Sequence, residues 1–581
     1  MTDNNFHGRS RELAGKYFYM ASAADFKKIP GSPIAYWASS KTFETFSENE
    51  DLSASVKTAY GLITMDNARF VRDWWEVSTD RISFFNKETD AWVPFNNGGG
   101  FRRWYGNNEN VVRWLHDGEE VKQLALEKNG SVTRTVVGQG FSFRPGLAWN
   151  AISTGNICIR YFGAGFIFSN ASMCAFGERT AVDLAGALLN SKVGLHFLNI
   201  LAPTVNFGAS QVALVPTSSD RGVGLKKVAV ESFLGPSKRD WDSYEISWDF
   251  TSLPLLYSDY RQPTLKATYQ KLRAHWRETT LDMQRLEEEN NDIFIEAYGL
   301  QDELTRDVPL DEITLTCNPH YRYGGNNTDE ELEAQLLAET MREFVSYAVG
   351  CMLGRYSLDK PGLVLANQGE TLADYRRQVP QPTFTPDADN VIPLLDGEWF
   401  NDDITERFRS FLRLTFGEAH YAENLKFIED SLGKDIRKFF LKDFYTDHVK
   451  RYKKRPIYWL FASPKGSFNA LIYLHRYRPD TVSVVLQYLR DFQEKLSGER
   501  KRQEQISIST SASAAEKTRA LKSIDSLRKI LAELDDYERD VLHPLATQQI
   551  AIDLDDGVKV NYLKFGDALK KIPGLEAKDE E

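Results

Sequence analysis

Hydrophobic positions divide this chain into two regimes. Between about Leu52 and Pro216 they come in short runs broken by Gly and Asn clusters. RISFF (Arg81–Phe85), SVTRTVV (Ser131–Val137) and ICIRYF (Ile157–Phe162) predict strands. A longer apolar stretch, Leu184–Leu201, predicts a helix stopped by Pro203. Beyond Pro263 the period changes. Leu265, Tyr269, Leu272, Trp276, Met283 and Leu286 recur at three- and four-residue spacings or their multiples, the mark of one helix face. Further helices are expected near 329–354, 403–417 and 423–449. One stripe runs through Val485, Leu489, Phe492 and Leu496, and another through Leu521, Ile524, Leu527, Leu531, Leu534 and Val541. The polar, Ser-rich connector Ser497–Ser513 between them predicts an antiparallel helical hairpin.

The pattern gives an α+β protein in six parts. A connector over 1–50 carries the turn-forming IPGSPIAYW (Ile29–Trp37). A mixed α/β domain is expected over 51–225, a linker and long helix over 226–310, and a helical domain over 311–480. The hairpin follows over 481–545, then a C-terminal segment and frayed tail over 546–581.

Composition changes the picture in one respect. With 581 residues, 42% hydrophobic and 26% charged, the chain can build packed cores, which excludes collagen-like and wholly disordered classes. The net charge of −11 excludes a globally basic coat for nucleic acid. That charge is uneven: residues 1–260 carry 26 Lys/Arg against 27 Asp/Glu, and residues 261–581 carry 45 against 55. A nearly neutral first part can still turn one basic face to a polyanion. Four scattered Cys without a CxxC pair fit a reducing compartment and argue against structural zinc. The polar N-terminus lacks an apolar signal core and no run approaches bilayer-spanning length, so a cytoplasmic protein without membrane contact is expected.

Catalytic motifs are sparse. NPHY (Asn318–Tyr321) is similar to the NPPY tetrapeptide with which amino-methyltransferases hold a flipped adenine, and FGAGF (Phe162–Phe166) is similar to a cofactor loop. The chain between them does not read as βαβ units, as a complete site would require. There is no GxSxG elbow, Walker loop or HExxH. Two segments point instead to nucleic acid. Phe95–Trp114 places a Gly run before Arg102, Arg103, Trp104 and Tyr105, followed by Asn107 and Asn108. Arg can bridge a guanine edge or a phosphate, and Asn can pair with adenine. His448–Pro456 is a basic cluster in an otherwise acidic half, with Arg451, Lys453, Lys454 and Arg455 able to neutralise phosphates. The bland alternatives are a solvated hairpin loop and a solvated helix end.

Longer strings carry a resemblance. IPGSPIAYW, GLITMDNARFVR (Gly61–Arg72), WVPFNNGGGFRRWYGN (Trp92–Asn107) and LLNSKVGLHFLNILAPTVNF (Leu188–Phe207) resemble the PglX family. So do KRPIYWLF (Lys454–Phe461), KGSFNALIYLHRYRPDT (Lys465–Thr481) and DLDDGVKVNY (Asp553–Tyr562). PglX proteins are the adenine-specific DNA methyltransferases of BREX phage-defence systems, related to type IIG restriction–modification enzymes. The resemblance implies that the chain corresponds to the family's C-terminal half: a target-recognition domain, then a helical spacer region. The catalytic half that binds S-adenosylmethionine would precede it, so no cofactor and no catalytic residue are expected here, and NPHY becomes a decoy. The implied partners are double-stranded DNA, the methyltransferase half or subunit, and other phage-defence proteins. Asn67, Arg69 and Arg72 join Arg102–Asn108 as expected DNA contacts. Two alternatives stay open: a self-contained methyltransferase using NPHY, and a scaffold that binds the catalytic subunit without reading DNA.

Overall fold

A computed structural model describes residues 22–83, 91–153, 155–204, 206–217 and 229–575. The protein is α+β, as expected, with about 52% helix and 10% strand. Among the described residues, ten strands lie between positions 50 and 217. Short β1 (Glu50–Asp51) pairs with β10 (Pro216–Thr217) and ties the two ends of this region together. One mixed sheet has the order β3 (Val71–Asp73), β5 (Asn110–Arg113), β4 (Trp92–Asn96), β8 (Ile167–Phe168). The other is antiparallel, in the order β2 (Val56–Ala59), β9 (Ser172–Gly177), β6 (Gly146–Asn150), β7 (Arg160–Phe162). Trp74, Trp75, Trp92, Trp104 and Trp149 are almost fully buried here. Each large ring removes more apolar area from water than an aliphatic side chain, which compensates for strands this short.

Several local expectations are corrected. Residues 131–137 form turns, because Gly130 ends helix α1 (Leu115–Asn129) in a left-handed conformation and Thr135 and Val136 fold back onto the Val132 carbonyl. In ICIRYF only Arg160–Phe162 is strand. In RISFF, Arg81 closes a 3₁₀ turn and Ile82 makes an isolated bridge to Trp92, while Phe84 and Phe85 lie outside the described residues. The expected helix over 184–201 is two helices, α2 (Arg179–Leu189) and α3 (Lys192–Leu201), bent by 79°. Ser191 caps α3 by accepting from the Gly194 N–H, which starts a new helix instead of continuing the old one.

The helical part begins with α4 (Glu231–Trp241) and the 34-residue α5 (Leu265–Tyr298), whose predicted apolar face is buried apart from half-buried Leu286. Helix α6 (Pro319–Tyr323) precedes α7 (Asp329–Leu353) and α8 (Ile404–Phe416). The helix expected over 423–449 is broken: α9 (Tyr421–Leu432) stops at left-handed Gly433, and a π turn at Phe440–Phe444 feeds α10 (Tyr445–Arg451). A small sheet, β11 (Ile392–Pro393), β13 (Asn469–Tyr473), β12 (Tyr458–Ala462), packs between these helices and the hairpin. The hairpin itself is α11 (Thr481–Ile508) against α12 (Ala514–Tyr537). Leu489, Phe492 and Leu496 meet Leu527, Leu531 and Leu534 in one buried cluster. The connector is shorter than expected, since α11 runs on to Ile508, and the predicted stripe residue Leu521 is 59% exposed near the tip.

The chain's end returns to its β-rich region. Asp555 accepts from the Trp92 indole N–H at 2.9 Å and pairs with Arg81 and Arg113, while the Val558 N–H donates to Glu76 at 2.7 Å. Among the described residues no single helix is long and apolar enough to cross a membrane.

Candidate nucleic-acid interface

The Gly-rich segment picked out by sequence folds inward. Arg102 is buried against Asp240 at 3.3 Å, and Arg103 pairs with Glu287 at 2.7 Å and Glu312 at 2.6 Å. Burial pulls the Arg103 guanidinium down, and the two carboxylates more than offset it, so it stays charged. Trp104 adopts a left-handed backbone (φ 70°), which costs a non-glycine residue about 1–2 kcal/mol. Its indole N–H donates to Glu287 at 2.8 Å and its ring stacks on Phe233 at 4.0 Å, which holds the conformation. Asn108 is buried, and Asn107 is half-buried with its amide donating to the Gly100 carbonyl at 2.8 Å. Arg72 is buried too, donating to the carbonyls of Ala68, Val71 and Asp556. In this structure Arg72, Arg102, Arg103, Trp104 and Asn108 hold the fold together and do not face solvent. Half-buried Tyr105 instead lines a cleft on the side of α4.

The basic cluster divides in the same way. Arg451 is enclosed by Glu339, Glu343 and Asp447. Arg455 lies 3.9 Å from Glu76, and its carbonyl accepts from the Trp75 indole, so this stretch joins the helical part to the β-rich part. Lys453 and Lys454 are exposed on a left-handed turn after α10, with Lys453 paired to Glu109.

Exposed side chains also gather on two adjoining segments of the β-rich region, 60–69 and 128–145. Asn67 and Arg69 are exposed, Arg69 pairing with Glu120 at 2.9 Å. Next to their turn lies the segment 128–145. The Ile63 N–H donates to the Thr135 carbonyl, and Lys128 and Asn129 reach Met65. Gly138 sits so tightly against Phe168 and the Tyr60 carbonyl that a Cβ there would lie 2.7–2.8 Å from them, and its φ of 71° lies in the left-handed region that favours glycine. That close approach carries the chain past Tyr60 to Phe143 and Arg144. Tyr60 is 50% and Phe143 45% exposed, large apolar surfaces to leave in water, and Arg134 and Arg144 are exposed beside them. Phe143 is fixed by backbone hydrogen bonds to Phe166 and Gly165, and Arg144 lies over the Phe141 ring at 5.9 Å.

Sequence reasoning missed Tyr60, Arg134, Phe143 and Arg144. The Val and Thr content of 131–137 read as strand, although Gly130, Gly138, Gly140 and Pro145 punctuate the segment as a loop would.

The methyltransferase-like tetrapeptide has a structural occupation. The Asn318 amide donates to the carbonyls of Leu310 and Ile313 at 2.7 and 2.8 Å, and its oxygen accepts from the His320 N–H, capping α6. Tyr321 donates to the Phe101 carbonyl. Gly163–Gly165 joins β7 to β8 with no helix after it, so the N–H groups of a helix N-terminus that would meet a cofactor's anion are missing there. These residues do not fit S-adenosylmethionine. Among the described residues no cluster of three metal-ligating side chains occurs.

No protein-family model matches the chain. It is 36% identical over 574 residues to the adenine-specific methyltransferase PglX of Lacticaseibacillus casei (strain Zhang), covering 94% of this chain and 45% of that protein. It is 35% identical over 602 residues to the adenine-specific methyltransferase BrxX of Escherichia coli O9:H4 (strain HS), covering 99% of this chain and 48% of that protein. The chain thus spans about half the length of these curated relatives. Over nearly its whole length, it is a relative of part of the PglX and BrxX adenine-specific methyltransferases.

Proposed function

We propose that this chain is the DNA-recognition part of an adenine-specific methyltransferase of a BREX-type phage-defence system. Methyl transfer, and the S-adenosylmethionine it consumes, would belong to a catalytic part supplied elsewhere. The observation that carries the reading is the loop group around Tyr60, Asn67, Arg69, Arg134, Phe143 and Arg144. It joins exposed cations to exposed rings on a rigid β scaffold, the combination that contacts phosphates and base edges. Lys453 and Lys454 supply a second, weaker basic point. The engagement of Asn318 inside the fold weighs against a self-contained catalyst. The acidic excess after residue 260 suits protein partners, including the catalytic part and other defence proteins.

The test is fluorescence anisotropy with a labelled duplex over a salt series. Binding that weakens with salt, and weakens again in Arg134→Ala and Arg144→Ala, supports the reading. No affinity for duplex at low salt turns it toward a scaffold that never reads DNA. Stoichiometric binding of S-adenosylmethionine by this chain would overturn the division of labour.

A further inference from the structure

Between the β-rich region and α5 lies a cleft of about 800 Å³, within the range of small-molecule sites. Its walls are aromatic. Tyr257 and Tyr260 stack at 6.5 Å with an interplanar angle of 26°, and His275 continues the row 5.3 Å from Tyr260. The Tyr257 hydroxyl is fixed to the Ser252 carbonyl at 3.1 Å, so the platform is held in place before any ligand arrives. Phe162 and Tyr161 line the cleft from β7, and Tyr105 lines it beside α4.

Charge narrows the choice of occupant. Arg179 is matched by Asp183 at 2.8 Å and Glu231 at 2.7 Å. Lys238 is matched by Asp242 at 2.8 Å and Asp249 at 2.7 Å, and also donates to the Tyr105 hydroxyl. Asp240, on the same wall, is taken by Arg102. Arg239 is exposed and has no ion-pair partner among the described residues. The cleft therefore offers a preformed aromatic platform, carboxylates able to accept from sugar hydroxyls or amino groups, and one uncompensated cation. A polyanion would meet Glu231, Asp242 and Asp249 at close range, whereas a nucleotide with one phosphate, about −1.5 to −2 as a monoester and less as a diester, brings the smallest repulsion with its charge on Arg239.

We propose that this cleft binds a nucleotide with one phosphate, the base against Tyr257 and Tyr260 and the phosphate on Arg239. The nucleotide is either free or presented by a single strand. It is distinct from the loop surface that contacts duplex.

Calorimetric titration of the full chain tests this with adenosine monophosphate, adenosine, adenosine triphosphate and an eight-nucleotide single strand. The monophosphate, or a residue of the strand, is expected to bind, and the triphosphate to bind no tighter than the monophosphate. Tyr260→Ala should weaken binding at least about fivefold by removing a stacking surface. Arg239→Ala should weaken the phosphate-bearing ligands by about tenfold and leave adenosine unchanged. Thermal melts report whether each variant folds, and Arg239→Lys should restore part of the affinity. Binding of strand but not monophosphate, still abolished in Tyr260→Ala, assigns the source to nucleic acid. Neither ligand binding at ~1 mM, or affinities unmoved in both variants, overturns the proposal. Arg134→Ala and Arg144→Ala should leave this titration unchanged, so failure at the loops and failure in the cleft are separable.

Discussion

Two segments of the β-rich region look alike on paper and behave oppositely. Phe101–Asn108 and Ser131–Pro145 both carry arginines, aromatics and nearby glycines. In the first, Arg102 and Arg103 are 5% and 6% exposed and each has a carboxylate within 3.3 Å. In the second, Arg134 and Arg144 are exposed and neither has a carboxylate within ion-pairing distance among the described residues. Each string carries two arginines and no acidic residue. What differs is whether carboxylates elsewhere in the chain converge on them. Glu287 and Glu312 lie 184 and 209 residues from Arg103, on α5 and the turn before α6, and together they change a surface-like string into an internal strut.

The sharpest way to break this contrast is Arg103→Ala. It leaves Glu287 buried without its guanidinium, and removing one partner of a buried pair costs about 3–5 kcal/mol. Chemical unfolding should show that cost as a shifted midpoint. An unchanged midpoint would mean that water reaches Glu287 and that the segment is not sealed. Trp104→Phe asks a smaller question at the same carboxylate. It keeps the ring stacked on Phe233 but removes the indole N–H from Glu287, an expected destabilisation of about 1–3 kcal/mol in the same measurement.

On the other side of the comparison, Arg134→Ala and Arg144→Ala should leave the unfolding midpoint within about 0.5 kcal/mol of the parent, as exposed substitutions do. On the proposed reading, their effect falls in duplex binding. If either arginine neutralises a phosphate, its removal reduces the salt slope by about 1. If either reads a base edge, its removal costs about 1–3 kcal/mol and relaxes specificity at one position. Variants that are less stable instead would make this loop a second strut.

The contrast also marks what a sequence can display. The hairpin stripes Leu489–Leu496 and Ile524–Leu534 were legible because a helix face depends on residues three and four apart, a local rule. The long helix from Leu265 was legible for the same reason. The bend between α2 and α3 was not, because Ser191 had to win against a continuous apolar run as a cap. Break points at Gly433 and the Phe440–Phe444 π turn were equally hidden beneath one continuous periodic pattern. Of the expected contact residues, Asn67, Arg69, Lys453 and Lys454 lie on the surface. Arg72, Arg102, Arg103 and Trp104 lie inside, because their partners are supplied by tertiary structure. A single Arg-rich string carries no information about carboxylates 138 to 209 residues away.

Arg69 sits between the two cases and offers the finest distinction. Like Arg103 it has a carboxylate partner, Glu120 at 2.9 Å; like Arg134 it is largely in water, with its side chain 52% exposed. Glu120 also accepts from Arg113, which in turn reaches Asp555, so the pair is the outer end of a small network. Exposed pairs contribute about 0–1 kcal/mol, because water screens the attraction and two side chains lose freedom. Arg69→Ala should therefore leave the unfolding midpoint nearly unmoved. It leaves Glu120 held by Arg113 alone, with the oxygen that Arg69 occupied unpaired, so on the proposed reading duplex binding should fall by more than the removal of one cation alone predicts. Arg69→Ala combined with Glu120→Gln should recover part of that affinity. If the double variant binds no better than the single one, Glu120 does not face the duplex, and the contact surface ends at residues 128–145.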